Sequence, residues 1–451
     1  MNERWKKLLA AVEKNKQVIL DAANYIWRNP ELGYKEWNTS RYLTDRFRRL
    51  GYEVKEAGNI PGFTADLDTG KDGPVVAVMA ELDSLICATH PAADPETKAV
   101  HACGHNCQSS YLVGLATALK EPGVLDGMCG KIRLISGPAE ETIDLEFRHG
   151  LISDGTIKYV AGKIEFLHRG MFDDVQMALL VHASVGGPHY VEIFDGCDGC
   201  LTKHFEFEGK ASHAGTMPWN GINALYMAAS GMNVCNALRE TFKDMDYVRF
   251  HPIITQAGVA ANAIPDVAKL DAYCRAANVH TMLEVNGKIN RALAGTAASF
   301  GGNVHIIDRP GNLPLHNAPE LSRLFADVTT GIFGENKVYN SGWRTGSCDT
   351  GDLSSIMPVC QPYVSGAVGT SHGNDFGMGD MDRTCVNPAR ILSVVLYELL
   401  SKDAQLAKSI IDNYEPVYKT KDEYFTAINA IAADYRAVTY NDDGSIVIRT
   451  R

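Results

Sequence analysis

The chain has 451 residues, with 43 Lys+Arg against 54 Asp+Glu, a formal net charge of −11, and 45% hydrophobic against 22% charged residues. That is globular composition, and the length exceeds the roughly 250–300 residues at which single cores stop growing, so two domains are expected. The acidic balance and the lack of any long Lys/Arg run exclude nucleic acid and anionic membrane as main partners, and no apolar run approaches the roughly 18 residues of a membrane span. The N-terminal MNERWKKLLAAVEKNKQ is broken by Glu13, Lys14 and Lys16, so it lacks a secretory apolar segment and reads as an amphipathic helix. Eleven dispersed cysteines, an odd number, fit reduced thiols and a cytoplasmic protein.

In chain order, residues 4–28 place Trp5, Leu8, Leu9, Val12, Val18, Ile19 and Ala22 at helical spacing, and Thr39 to Leu50 predicts a further helix before the strand GYEVKEA. Short strands follow at Phe63–Leu67, Pro74–Ala80 and Lys131–Ile135, with a helix at Ser109–Leu119. Helices interleaved with nearly all-apolar strands predict an α/β layer around a largely buried sheet. From Leu201 the pattern becomes strand, helix (221–242), two strands (247–257 and 268–276), helix (280–300) and strand (303–308). This βαββαβ order is the split-βαβ, ferredoxin-like unit. RPGNLPLHN then reads as a connector, and a long helix is expected near Pro388–Lys402. The expected organisation is a catalytic domain of residues 1–196 and 311–451 with a lid domain of residues 197–310 inserted in it.

Four segments carry candidate chemistry. In HACGHN (101–106), Cys103 and His105 stand two apart, which on extended chain puts both on one side; a thiolate and an imidazole suit a borderline divalent metal. Taken alone, such a Cys-Gly-His is more often a small buried thiol in a loop. In GPAEE (137–141), the adjacent Glu140 and Glu141 point to opposite sides of an extended chain, so one can bind a cation while the other reaches a water. His182 ends an apolar run, and His372 lies in the Gly-rich GAVGTSHG. Together they supply what two adjacent divalent metals with a bridging water need.

With these motifs in place the chain resembles the M20 metallopeptidases, in particular their amidohydrolase branch of aminoacylase-like and p-aminobenzoyl-glutamate hydrolase-like enzymes. The resemblance runs through PELGYKE (30–36), AELDSL (80–85), HACGHN, GPAEE, VHAS (181–184), SHAGTMP (212–218), NAIPDVA (262–268) and GTSHG (369–373), in order along nearly the whole chain. It implies a zinc-peptidase-like α/β catalytic domain with a mixed sheet and an inserted ferredoxin-like lid and dimerisation domain. It also implies metal ligands Cys103, His105, Glu141, His182 and His372 for two divalent ions, zinc or manganese, with Glu140 as general base and Asp83 behind the ligands. The lid's His213 is implied as the oxyanion donor, reaching a partner's site in a homodimer, and Asn262 and Arg275 as the pair that holds the substrate's carboxylate. The implied reaction cleaves an amide or peptide bond of a small N-acyl amino acid, aminobenzoyl-glutamate-like or dipeptide substrate. One departure is Asn106-Cys107-Gln108 where the family continues with Asp and a further His, which removes a charge behind the metals. Asp349 and Asp352 stay open between a supporting role and loop capping. CDGC (197–200) has no second CxxC and reads as a hinge with two ordinary thiols. YRAVTYNDDGSIVIRTR reads as a hairpin turning at Asp443-Gly444. The rival readings are a metal-free Cys103 nucleophile and a non-catalytic binding or regulatory protein with a relict metal site.

Overall fold

The periodicity of residues 4–28 becomes two helices, α1 (Glu3–Lys14) and α2 (Lys16–Trp27). Asn15 makes the break: its side-chain amide donates to Ala11 O at 2.9 Å and to Glu121, the local bonding by which Asn competes with helix propagation. The computed structural model describes residues 2–450. It divides into two units: the first holds the chain up to Gly196 with His316–Arg344 and Asp352–Val417, the second Cys197–Leu315 with Thr345–Gly351 and the chain from Tyr418 onward.

In the first unit α3 (Trp37–Arg49) precedes β1 (Val54–Glu56), β2 (Phe63–Asp68) and β3 (Val75–Glu81); α4 (His105–Leu119), β4 (Lys131–Gly137), β5 (Val175–Leu179), β6 (His182–Val185) and β7 (Val191–Ile193) follow. The main sheet runs β1-β2-β4-β3-β5 and ends on Val359–Cys360. β3 pairs in parallel with β4 on one side and β5 on the other, which is why Val76–Ala80 is apolar without alternation. α4 lies against β3 and α2, buried on all sides except at Thr117, and its Tyr111 hydroxyl donates to Met79 O at 2.6 Å. The arrangement collects chemistry at one place. Glu81 ends β3 and Asp83 follows it, Glu140 and Glu141 follow β4, and His182 follows β5, all at carboxyl ends of neighbouring parallel strands, where open α/β sheets bind ligands. A smaller sheet orders Val338–Asn340, β7, Tyr363–Ala367 and β6, and its Tyr363–Ala367 strand leads into the loop of His372.

In the second unit β8 (Gly199–Glu208), α5 (Ala224–Ala237), β9 (Arg249–Ala257), β10 (Val267–Ala276), α6 (Val279–Ser299) and β11 (Asn303–Asn312) follow the expected βαββαβ order. The strands lie as β9-β10-β8-β11, every neighbour antiparallel. β8 buries Lys203, Phe205 and Phe207 and leaves His204, Glu206 and Glu208 half-buried, the period of two of a one-sided sheet. Asn223 and Asn278 cap α5 and α6 by accepting from the backbone of Tyr226 and Thr281.

Two boundaries differ from expectation. RPGNLPLHN does not begin as a connector: β11 continues to Asn312, with Pro310 opposite Leu201 and a bulge between Cys200 and Leu201 that absorbs the Pro-Gly step. The chain from Tyr418 onward, read as part of the catalytic domain, belongs to the second unit instead. Its strand Ala433–Arg436 pairs antiparallel with β11, and Asp434 meets His305 at 2.7 Å and Arg309 at 3.1 Å. A four-residue edge strand carries too little pattern to reveal this. The terminal hairpin pairs Val438–Tyr440 with Ile446–Ile448, as expected. Among the described residues no helix is long and apolar enough to cross a membrane.

Candidate metal centre

HACGHN is not extended. Gly104 takes φ 89°, a left-handed turn that a side chain would strain, and the chain passes from Cys103 directly into α4, whose first residue is His105. The expected convergence therefore comes from a turn rather than from strand pleating. Cys103 Sγ lies 3.5 Å from His182 Nε2. The His372 backbone N–H donates to Ala102 O at 2.9 Å, which lays the GTSHG loop along HACGHN, and His372 Nε2 stands 3.2 Å from Glu141 Oε1. Among residues of the first unit, donor atoms come within 4.8 Å of one another in three sets: Cys103, His105 and His182; Cys103, Glu141 and His372; and His105, Glu140 and Glu141. The first unit thus brings together every ligand position expected in it, together with Glu140.

The electrostatics agree with a centre of mixed charge. Burial and Glu141 push the Cys103 thiol up, but His105 and His182 outweigh them and bring it down to about 6. Burial raises Glu141 while the adjacent His372 and nearby His105 pull it to about 2. Cys103 and Glu141 beside it raise His372 to about 11. Behind the donors, His105 Nδ1 meets Asp83 O at 2.9 Å and Asp83 Oδ1 at 3.1 Å, which leaves Nε2 as the nitrogen aimed at the centre. Glu81, fully buried, pairs with Lys163 at 2.5 Å and accepts from Gln108 at 2.6 Å. Gln108 thus serves Glu81 rather than supplying an imidazole. Asn106 donates to Ala23 O and Met378 Sδ, a packing role that needs no charge.

Two buried atoms test whether a cation fits. His105 Nε2 stands 3.1 Å from Glu81 Oε2 and Glu141 Oε1 3.2 Å from His372 Nε2, yet neither is hydrogen-bonded. Buried polar atoms without partners are costly, and an imidazole nitrogen and a carboxylate oxygen facing a thiolate and a second imidazole are what a divalent ion of borderline softness takes as ligands. The residues fit the ion.

The remaining expected residues lie in the second unit. His213 pairs in register with Ala263, and the Ala214 N–H donates to Asn262 O at 2.9 Å, so His213 and Asn262 are neighbours. His213 Nδ1 accepts from the N–H groups of Gly215 and Thr216, both at 3.1 Å, which puts the ring proton on Nε2 and makes the exposed edge a donor. Arg275 is elsewhere. It stands opposite Cys200 and Arg249, with its guanidinium 4.3 Å from the Tyr273 ring centroid. It is at the far end of β10 from Val267, eight steps and about 26 Å at ~3.3 Å per residue. Asn262 precedes the Val267 end, so most of the strand lies between Asn262 and Arg275 along the chain.

Residues 198–300 match the family model described as the peptidase dimerisation domain of M20 enzymes. The human Xaa-Arg dipeptidase is 26% identical over 429 residues, covering 90% of each chain. One of the two p-aminobenzoyl-glutamate hydrolase chains of Escherichia coli is 26% identical over 311 residues, covering 66% of this chain and 59% of that protein. The chain is a relative of the M20 metallopeptidases. Its fold matches a solved dinuclear metal-binding M20 peptidase of Bacillus subtilis with a TM-score of 0.62 and 17% identity, over 86% of this chain and 99% of that one.

Reading the M20-like motifs did not assign Glu36, Glu81, Lys163 or Arg148, all buried around the centre. PELGYKE and AELDSL held the signal for the two carboxylates, since an acid beside apolar residues at a strand or helix boundary must find a partner. Nothing local marks Lys163, whose partner Glu81 lies 82 residues away, or Arg148, whose partners Val160 and Glu141 receive it through backbone carbonyls that carry no side-chain signal.

Proposed function

We propose that this M20 relative is a metal-dependent amidohydrolase that cleaves an amide bond in a small N-acyl amino acid, aminobenzoyl-glutamate-like or dipeptide substrate with a free carboxylate. The convergence of Cys103, His105, Glu141, His182 and His372 around Glu140 carries this reading. Those five residues would hold two divalent ions, zinc or manganese, which when bound polarise the scissile carbonyl and lower the pKa of water. Glu140 takes the proton of the attacking water and returns it to the leaving amine. Asp83 fixes the His105 ring, and the Nε2–H of His213 supplies a hydrogen bond to the developing oxyanion. The relatives' names support the substrate class: one acts on Xaa-Arg dipeptides and others on p-aminobenzoyl-glutamate and indole-3-acetyl-aspartic acid, all amides of an amino acid. A relict binding protein has no use for the complete ligand set with its base, and the Cys103 nucleophile is disfavoured because its thiol is shared among His182, Glu141 and His372. Assay of N-acyl amino acids, aminobenzoyl-glutamate and dipeptides should give turnover that chelation abolishes and zinc or manganese restores. Turnover by verified metal-free protein would overturn the proposal.

The second unit serves in this reading as lid and dimerisation domain, and the protein acts as a cytoplasmic homodimer without nucleic acid or membrane. Asn262 and Arg275, a strand apart in one chain, meet a common carboxylate only if different copies contribute them. Of the two sheet edges, β11 is covered by Ala433–Arg436, whereas β9 has no partner beyond β10 among the described residues and exposes Ile253 and Ile254. The β9 edge is the one that takes a second copy. Charges on an edge strand block such pairing, so the Ile253→Lys, Ile254→Lys double variant should run as a monomer in light scattering where the parent runs as a dimer. A double variant that stays dimeric places the interface elsewhere.

A further inference from the structure

The turn that carries Glu140 is held from both sides by buried groups. Ala139 sits at φ 55°, a left-handed conformation that is strained for a residue with a Cβ and persists only where surroundings impose it. Its N–H donates to Glu36 Oε1 at 2.8 Å, and the Glu141 N–H donates to Asp83 Oδ2 at 2.9 Å. The Ala139 carbonyl accepts from the Gly162 N–H at 3.1 Å. Arg148, 1% exposed, donates to Val160 O at 2.7 Å and to the carbonyl of Glu141.

Glu36 is freed for this task by its neighbour. It occupies the position before α3 from which a carboxylate ordinarily accepts the first helical N–H groups. Those of Asn38 and Thr39 go instead to Glu31, at 3.0 and 2.8 Å, while Glu36 is fully buried and turned to Ala139. Gly33 makes room: a Cβ there would run into the Arg148 guanidinium and stand 3.0 Å from Ala139 Cα. PELGYKE thus contributes one residue that caps α3, one that admits Arg148 and one that grips the turn.

We infer that Glu36 and Arg148 are positioning residues that fix the backbone on either side of Glu140 and so aim its carboxylate at the water it deprotonates. The inference rests on Glu140 being the general base. Burial and the charge of Asp83 push the Glu36 carboxyl well up, which suits a backbone acceptor and not a second base.

The test is a set of variants read for kcat, KM and metal content together. Glu36→Leu should lower kcat by about 10- to 100-fold, the effect of a displacement of about 1 Å, with KM and bound metal unchanged, and Glu36→Gln, which keeps an acceptor oxygen, should recover most of the loss. Gly33→Ala removes no polar group but displaces Arg148, so it should show the same kcat-only loss and carries the test if Glu36→Leu does not fold. On a Glu140→Gln background the Glu36→Leu change should add little, because it acts through the residue already disabled. Equal losses on both backgrounds, or a loss tracking metal content, overturn the positioning role and leave the proposed function standing. Full activity of Glu140→Gln alone takes down both.

Discussion

Glu140→Gln should lower turnover by about 10²–10⁴-fold while the protein keeps its fold and metal, the loss expected when a general base is removed. The substitution preserves shape and one carbonyl oxygen but removes the basic oxygen. Glu140 Oε2 is 3.9 Å from His105 Nε2 and shares a donor group with His105 and Glu141, but only Glu141 also lies in the group of Cys103 and His372. That asymmetry separates a base from a ligand. Glu141→Gln should lose metal and activity together, and Glu140→Gln activity alone. Metal analysis beside steady-state kinetics decides between them: near-normal turnover at full metal content rejects Glu140 as the base, and metal loss in Glu140→Gln makes it a ligand.

The sequence was readable where local pattern and chemistry coincide. β3 and β8 declare themselves through unbroken and alternating apolar runs, and the βαββαβ order follows from such runs alone. Cys103, His105, Glu141, His182 and His372 were legible because the M20 motifs carry them, yet the way they meet was not. The left-handed Gly104, the start of α4 at His105 and the turn at Ala139 are single backbone choices that periodicity does not report. The C-terminal strand escaped for a different reason. Ala433–Arg436 is defined by Asp434 meeting His305 and Arg309, contacts across more than a hundred residues of chain. The buried partners Arg148 and Lys163 escaped likewise, since a cation looks solvated in sequence until the carbonyls or carboxylate that receive it are in view.

Breaking the buried pair of the second unit should destabilise that unit by about 3–5 kcal/mol, the cost of leaving one charge uncompensated in a core. Lys203 extends from the inner face of β8 and is fully buried; its ammonium meets Asp308 on β11 and Asn286 and Asn290 on α6, the last at 2.8 Å. Asp308 in turn accepts from the amides of Asn286 and Asn290 at 2.9 and 2.8 Å. Each polar group in the set is bonded to another, which lets a Lys and an Asp stand in an apolar layer beside Phe205 and Phe207. Burial lowers the Lys203 ammonium's pKa while Asp308 is the strongest group raising it, so removing the carboxylate leaves burial dominant. Asp308→Ala and Lys203→Met should therefore each shift the urea transition of this unit strongly, while the double variant should cost clearly less than the sum, because neither charge is then stranded. Additive losses would mean that the two groups do not depend on each other. Single losses within about 0.5 kcal/mol would mean that water reaches the site and the pair is not part of the core.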